Sequence, residues 1–340
     1  MTTRQRCLIF VAVLALSAVL TFFKVPLASS QGVTLIAAEV SEDLPINNPD
    51  AALWQKATAI DIPLSAQSVT VPRLLNTNVK SITARALHNG RQLAVLVEWT
   101  DPTKNDAMIR PQEFRDAAAV QFPLVDAQPF LCMGQNGGNV SIWHWKADWQ
   151  ADITARQDME TAYPNMAVDF YPFAEGEHPA PADYKDANYV PALAAGNLFA
   201  SKHESPVENL IAGGFGTLTS QPPDRQDVQG YGVWGNDKWH VIFSRDLVAT
   251  DSVNEVIFRP GQIYSLAFAA WDGENNERNG QKSTSQWVAL QLGHAAPAQA
   301  KPEAAAKPVD LSQWYLLLIV IVLISIAIVV SVAWHPRDDR

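Results

Sequence analysis

Cysteine is the scarcest chemically versatile residue in this 340-residue chain, which has only two. Cys7 lies in an apolar N-terminal segment, so Cys132 stands alone in the remainder and no internal disulfide forms. There is no C-x-x-C-H motif, which excludes covalent c-type haem. No cysteine cluster exists for an iron–sulfur centre or a structural zinc. Hydrolase and nucleotide signatures are missing as well, with no G-x-S-x-G and no P-loop. The seven histidines, His88, His144, His178, His203, His240, His294 and His335, show neither H-x-H nor H-E-x-x-H spacing. No helical period of useful length runs through the middle of the chain. Basic residues are in the minority, 25 against 35 acidic, and the net charge of −10 argues against nucleic acid as a partner.

Hydrophobic residues are plentiful at 48% and concentrate at both ends. Arg4 and Arg6 precede an uncharged, largely apolar run from Leu8 to Phe23, and small residues follow at Ala28, Ser29 and Ser30. This pattern predicts a signal peptide over residues 1–30. Near the other end, Trp314 to Trp334 contains no Asp, Glu, Lys or Arg. As a helix rising 1.5 Å per residue it would span roughly 30 Å, one hydrocarbon core. Trp314, Tyr315 and Trp334 bracket it as an aromatic belt would. The expected organisation is a signal peptide (1–30), a folded domain (31–293), an Ala/Pro linker (294–312), a transmembrane helix (313–335) and a cytoplasmic tail (336–340). Arg337 and Arg340 in the tail place the folded domain on the periplasmic or extracellular side of the cytoplasmic membrane.

The domain between these ends reads as all-β, an antiparallel sandwich. Residues 81–101 form a hairpin turning at Asn89-Gly90, a pair that favours positive φ at both central residues. "AAAVQFPL" from Ala117 is a strand. In "NVSIWHWKADWQ", Ile142 and His144 share one face while Trp143 and Trp145 share the other. A second hairpin turns at Gly235-Asn236-Asp237, and further strands surround residues 264 and 285. Residues 155–229 lack clear strands and read as a partner surface.

Two stretches resist the reading of plain scaffold: "PFLCMGQNGGNVSIWHWKADW", Pro129 to Trp149, and "AAWDGENNERNGQKSTSQWVALQLG", residues 269–293. Taken alone, Met133 is core filler and Lys282 a solvated charge. Together with "DAAAVQFP" (Asp116 to Pro123) and "WHVIFSRDL" (Trp239 to Leu247), and in this order, the stretches resemble the haem-binding gamma subunit of the ethylbenzene dehydrogenase family. Its relatives include the gamma subunits of dimethylsulfide dehydrogenase, chlorate reductase, selenate reductase and nitrite oxidoreductase. The resemblance spans roughly residues 38 to 293.

The resemblance implies a β-sandwich holding one non-covalent haem b between its sheets, with a methionine and a lysine as axial ligands. Carried onto this chain, these are Met133 and Lys282. Phe130, Trp143 and Trp145 are candidates for packing against the haem, with ordinary sandwich core as their other reading. The implied role is electron transfer without catalysis. The partners would be an iron–sulfur subunit, a molybdenum catalytic subunit, and a cytochrome c or membrane electron carrier. The soluble gamma subunits of the family lack a C-terminal span, so this copy is expected to be tethered. The alternative is a haem-free, membrane-anchored β-sandwich binding or adhesion module with its tryptophans as a glycan platform. An absorption spectrum separates the two.

Overall fold

A computed structural model describes residues 33–125, 128–129, 133–166, 191–200 and 203–293. The chain divides into two compact units, Met1–Ala296 and Pro297–Arg340. The second lies outside the described residues, as do the expected signal peptide, linker, transmembrane helix and tail. Among the described residues no helix is long and apolar enough to cross a membrane.

The strands are β1 (Thr34–Glu39), β2 (Ile60–Pro63), β3 (Ser65–Ala66), β4 (Ser81–His88), β5 (Gln92–Thr100), β6 (Ala117–Pro123) and β7 (Val140–Lys146). Three short helices follow: α1 (Ala147–Thr154), α2 (Met159–Ala162) and α3 (Pro191–Ala194). Then come β8 (Val207–Ala212), β9 (Thr219–Ser220), β10 (Gln229–Gly235), β11 (Lys238–Asp246), β12 (Ile263–Trp271), β13 (Ser283–Thr284) and β14 (Val288–Leu292).

Strand β12 joins the two layers. Its first half, Ile263 to Leu266, pairs with β14, and its second half, Ala267 to Trp271, pairs with β6. The first sheet runs β10-β11-β5-β4-β1-β14 and ends on that first half, with β2 attached to β4. The second runs from the other half through β6, β7 and β8 to β9, with β13 and β3 attached. Most pairs are antiparallel. The exception is β1, which inserts parallel to both β14 and β4 and ties the two ends of the domain together.

Alternation along each strand sorts side chains between two environments. Ala118, Val120 and Phe122 of β6, Trp143 and Trp145 of β7, and Leu266, Phe268 and Ala270 of β12 enter the inter-sheet core. There they meet Val95, Val97 and Trp99 of β5 and Trp239, Val241 and Phe243 of β11. Trp145 packs edge-on to Trp239 at 4.9 Å, and Trp99 stacks on Trp239 at 6.3 Å, which locks the layers face to face. Ala117, Ala119, Ile142, Leu210 and Trp271 point the other way, onto the outer face of the second sheet.

Several local expectations are revised. The turn after β4 has positive φ only at Gly90. Asn89 accepts the N–H groups of Arg91 and Gln92 through Oδ1, so three residues rather than two link the strands. The Gly235-Lys238 turn behaves as expected, with Asn236 and Asp237 at φ 54° and 58°. Residues 155–229 do contain strands: β8 pairs along β7, and β9 follows it. "VENLIA" escaped notice because it is short and nearly all buried, so it shows no polar alternation. Gly230, Gly232 and Gly235 fall at G-x-G-x-x-G spacing. They lie in β10 and lead into another strand, so they do not form the strand-to-helix phosphate turn that such spacing can signal.

Candidate functional site

A cavity of about 550 Å³ lies against the outer face of the second sheet, within the size range of small-molecule and cofactor sites. Its floor is small and apolar: Ala117 and Ala119 from β6, Ile142 from β7, Ala267 and Ala269 from β12, and Leu210 from β8. The alanines at 117, 119, 267 and 269 carry little bulk, which leaves space between the sheet and the loops above it. Those loops contribute Thr70 to Pro72, Phe114, Phe215 and the segment Glu277 to Lys282. The space between the sheets, where the resemblance placed the cofactor, is instead filled by tryptophan and aliphatic side chains.

Met133 and Lys282, 149 residues apart in sequence, meet on the wall of this cavity. The Lys282 ammonium donates to Met133 Sδ at 3.2 Å. Both are held by their neighbours' backbones. Gly214 N–H donates to the Met133 carbonyl at 2.8 Å. Gly134 turns the chain at φ 71°, where a Cβ would press within 2.7 Å of the Ala212 and Gly138 carbonyls, so only glycine fits. Lys282 immediately precedes β13, which is gripped between β12 and β3, and its carbonyl accepts Gln67 N–H at 2.9 Å. Its side chain is 6% exposed, and Nζ lies 5.0 Å from the centre of the Trp271 ring. Lys282 is therefore an inward-facing group and not a decoration of the loop.

The site contains a third polar side chain. His144 projects from the same face of β7 as Ile142 and stacks on Trp271 with ring centres 4.7 Å apart. Its Nε2 is buried and has no hydrogen-bond partner among the described residues. Burial, followed by the positive charges of Lys146, Arg115 and Lys282, holds its pKa well below the ordinary histidine value. In the unfolded chain it would protonate near pH 6.5, while in the folded chain it stays neutral. Its contribution is therefore present above about pH 6.5 and is lost as pH falls below that value. Thermal melts of His144→Gln between pH 7 and 5 should show a shallower acid decline than the parent protein.

Trp143 and Trp145, one residue either side of His144, do not line the cavity. They occupy the opposite face of β7, where Trp143 packs on Phe122 and Phe258, and Trp145 on Trp99 and Trp239. A strand cannot send adjacent side chains to the same face, so His144 and the tryptophans are mutually exclusive as wall residues. Phe130 lies outside the described residues. Trp271, His144 and the alanine floor were missed by sequence reasoning. Once Lys282 was singled out, the period-2 register of β7 and β12 was the one signal that could have found them.

An amine and a thioether facing one apolar pocket are donors suited to a transition metal or a cofactor that carries one. The fold and site thus define a β-sandwich whose largely apolar pocket, with Met133 and Lys282 on its wall, lies on the outer face of one sheet. The chain belongs to the ethylbenzene dehydrogenase family, whose description as "Ethylbenzene dehydrogenase" matches residues 51–283. Similar proteins include a candidate respiratory nitrate reductase heme subunit of Haloferax mediterranei, 23% identical over 79% of this chain and 80% of that one. The chlorate reductase subunit gamma of Ideonella dechloratans is 28% identical over 72% and 79%. Among solved structures, a carbohydrate-binding protein from Bacteroides uniformis aligns over 80% of this chain and 95% of its own at 8% identity, with a TM-score of 0.39. That likeness is too slight to inform either fold detail or ligand.

Proposed function

We propose that this chain is a haem-bearing electron-transfer subunit of a multi-subunit oxidoreductase and carries out no catalysis of its own. The observation that carries this reading is the pairing of Lys282 Nζ with Met133 Sδ, 3.2 Å apart, in an apolar cavity of the size a cofactor needs. Family membership supports it, as do relatives named as a heme subunit and a gamma subunit. In this reading Met133 and Lys282 would hold the iron of a single non-covalent haem b. When bound, the haem supplies a one-electron Fe(III)/Fe(II) couple.

The protein's own residues do the rest. Lys282 ligates only as the neutral amine. Its reference pKa is about 10.4, so its buried position and the metal's charge must together favour release of the proton. Met133 contributes a soft thioether, which favours the reduced metal and raises the potential. The alanine floor lets a flat ring system approach the sheet, and Trp271 and His144 close one wall. With Met133 and Lys282 both holding the iron, the group would serve electron transfer and not substrate binding.

The finer assignment continues the sequence reading. An iron–sulfur subunit would sit on one side of the relay and a cytochrome c or membrane carrier on the other, with the molybdenum chemistry on a partner chain. A nitrite oxidoreductase-like complex is one such setting. Residues 313–335 would tether the domain on the periplasmic or extracellular face, and a tether raises effective concentration towards membrane-bound partners.

The purified chain should show a Soret band, a reversible one-electron couple in potentiometric titration, and little change on adding carbon monoxide. Substrate turnover by the chain without partners, or a haem that binds carbon monoxide readily, would remove the relay reading.

A further inference from the structure

The loop that carries Lys282 is rooted beside three buried aspartates that do not line the cavity. Asp101, at the end of β5, is 1% exposed, Asp116, just before β6, is 0% exposed, and Asp272, just after β12, is 8% exposed. One carboxylate oxygen from each lies within 4.8 Å of those from the other two. Glu277, also buried, adds a fourth acid alongside, and its carboxylate accepts Asn78 Nδ2 at 2.7 Å and the Asp272 N–H at 3.1 Å.

The partners of these groups are those of carboxylate anions. Asp116 accepts three N–H donors: Asn105 N at 2.8 Å, Trp239 Nε1 at 2.9 Å and Gly273 N at 2.9 Å. Asp272 accepts Asn275 N at 3.1 Å and Asn275 Nδ2 at 2.8 Å. Asp101 Oδ1 accepts the N–H and hydroxyl of Thr103 at 3.1 and 3.2 Å. Asp101 Oδ2 is the orphan: it is buried and makes no hydrogen bond of ordinary geometry, and a weak contact from the Trp99 indole N–H only partly offsets the burial and the Asp272 charge that push its pKa up. A buried oxygen left in this way costs free energy unless something occupies the space it faces.

Charge balance points in the same direction. Among the described residues no ion pair from Lys, Arg or His reaches Asp101, Asp116, Asp272 or Glu277. Burial and repulsion from Asp101 push Asp116 up to about 7, and burial followed by repulsion from Asp272 and Asp101 does the same to Glu277. A cation bound among them would relieve that repulsion, and it would convert the inward oxygens from a liability into ligands.

We propose that Asp101, Asp116 and Asp272 bind one Ca²⁺ ion, which fastens the start of the 272–282 loop to β5 and β6 and so holds Lys282 at the cavity. The all-oxygen donor set selects a hard cation. Two oxygens on one Ca²⁺ lie up to about twice 2.3–2.6 Å apart, which the bound of 4.8 Å on the carboxylate separations fits. The ion would fasten the exit of β5 to the entry to β6 and the exit of β12, which the Ala117–Trp271 pairing already joins to each other. This site stands independently of the haem reading.

The test uses the purified full-length chain stripped with chelator, then titrated with CaCl₂, MgCl₂ or TbCl₃. Because Trp239 donates directly to Asp116, Tb³⁺ bound there should emit on tryptophan excitation, and Ca²⁺ should displace it far better than Mg²⁺. Ca²⁺ at 100-fold over its Kd should raise the melting temperature by roughly 5–10 °C. Asp101→Asn and Asp272→Asn should each lose both responses, while Glu274→Gln, at an exposed position in the same loop, should keep them. Two results on the unaltered chain would overturn the proposal without any variant having to fold: no terbium emission, or no change in melting with millimolar Ca²⁺. Terbium emission that survives in both aspartate variants would overturn it too, by placing the ion elsewhere.

Discussion

Replacing Lys282 by alanine should abolish the native haem absorption spectrum, and Met133→Ala should do likewise. The loss of haem retention should be tenfold or more, because even groups that only hydrogen-bond to metal ligands are worth on the order of 10–100-fold. The reasoning is local. Lys282 is 6% exposed, its main chain is pinned by β13 and by Gln67, and its Nζ donates to Met133 Sδ. Lys282→Arg should fail as completely as alanine, since a guanidinium stays protonated and offers no lone pair. Met133→His should still hold the haem but lower the reduction potential, because the thioether would favour Fe(II). Ultraviolet–visible spectra and potentiometry of matched haem-loaded samples read all four variants. Wild-type spectra from Lys282→Ala and Met133→Ala at full occupancy would remove both residues from the metal.

The second large effect separates the core from the cavity. Trp145 is fully buried, in edge contact with Trp99 at 6.2 Å and with Trp239 at 4.9 Å. Trp145→Ala should cost about 3–5 kcal/mol of folding stability, the usual range for truncating a large aromatic in a packed interior. Urea titration gives this directly as a lower midpoint at unchanged slope. The folded fraction of the milder Trp145→Phe should carry an unaltered haem spectrum, because the side chain faces the inter-sheet core and not the cavity. A spectral change in Trp145→Phe at full stability would return this residue to the cofactor. Trp143, packed on Phe122 at 4.9 Å on the same face, should behave in the same way.

Fold class was legible because strand alternation is a short-range signal. Apolar and polar side chains separate every second residue wherever one face is buried, as in the burial pattern of β14. The same rule split β7 correctly, with Ile142 and His144 on one face and Trp143 and Trp145 on the other. It could not say which face looked into a sandwich and which into a cavity, since both are apolar. Strands β1 and β8 went unread for the related reason that β1 is brief and partly exposed and β8 is buried on both sides.

The amino-acid sequence by itself thus determined an all-β domain and the two stretches that hold Met133 and Lys282. Only the tertiary structure decided that these two side chains touch, that their cavity lies on the outer face of the second sheet, and that Asp101, Asp116 and Asp272 converge beneath the Lys282 loop. The physical reason lies in the strand pairings. Local sequence sets which way each side chain points from its own strand. The distances between residues 101, 116, 133, 272 and 282 are set instead by β12 crossing from β14 to β6, and by the grip of β13 between β12 and β3. Those contacts join segments far apart in the chain, and they form only when burial of the aromatic core draws the two sheets together.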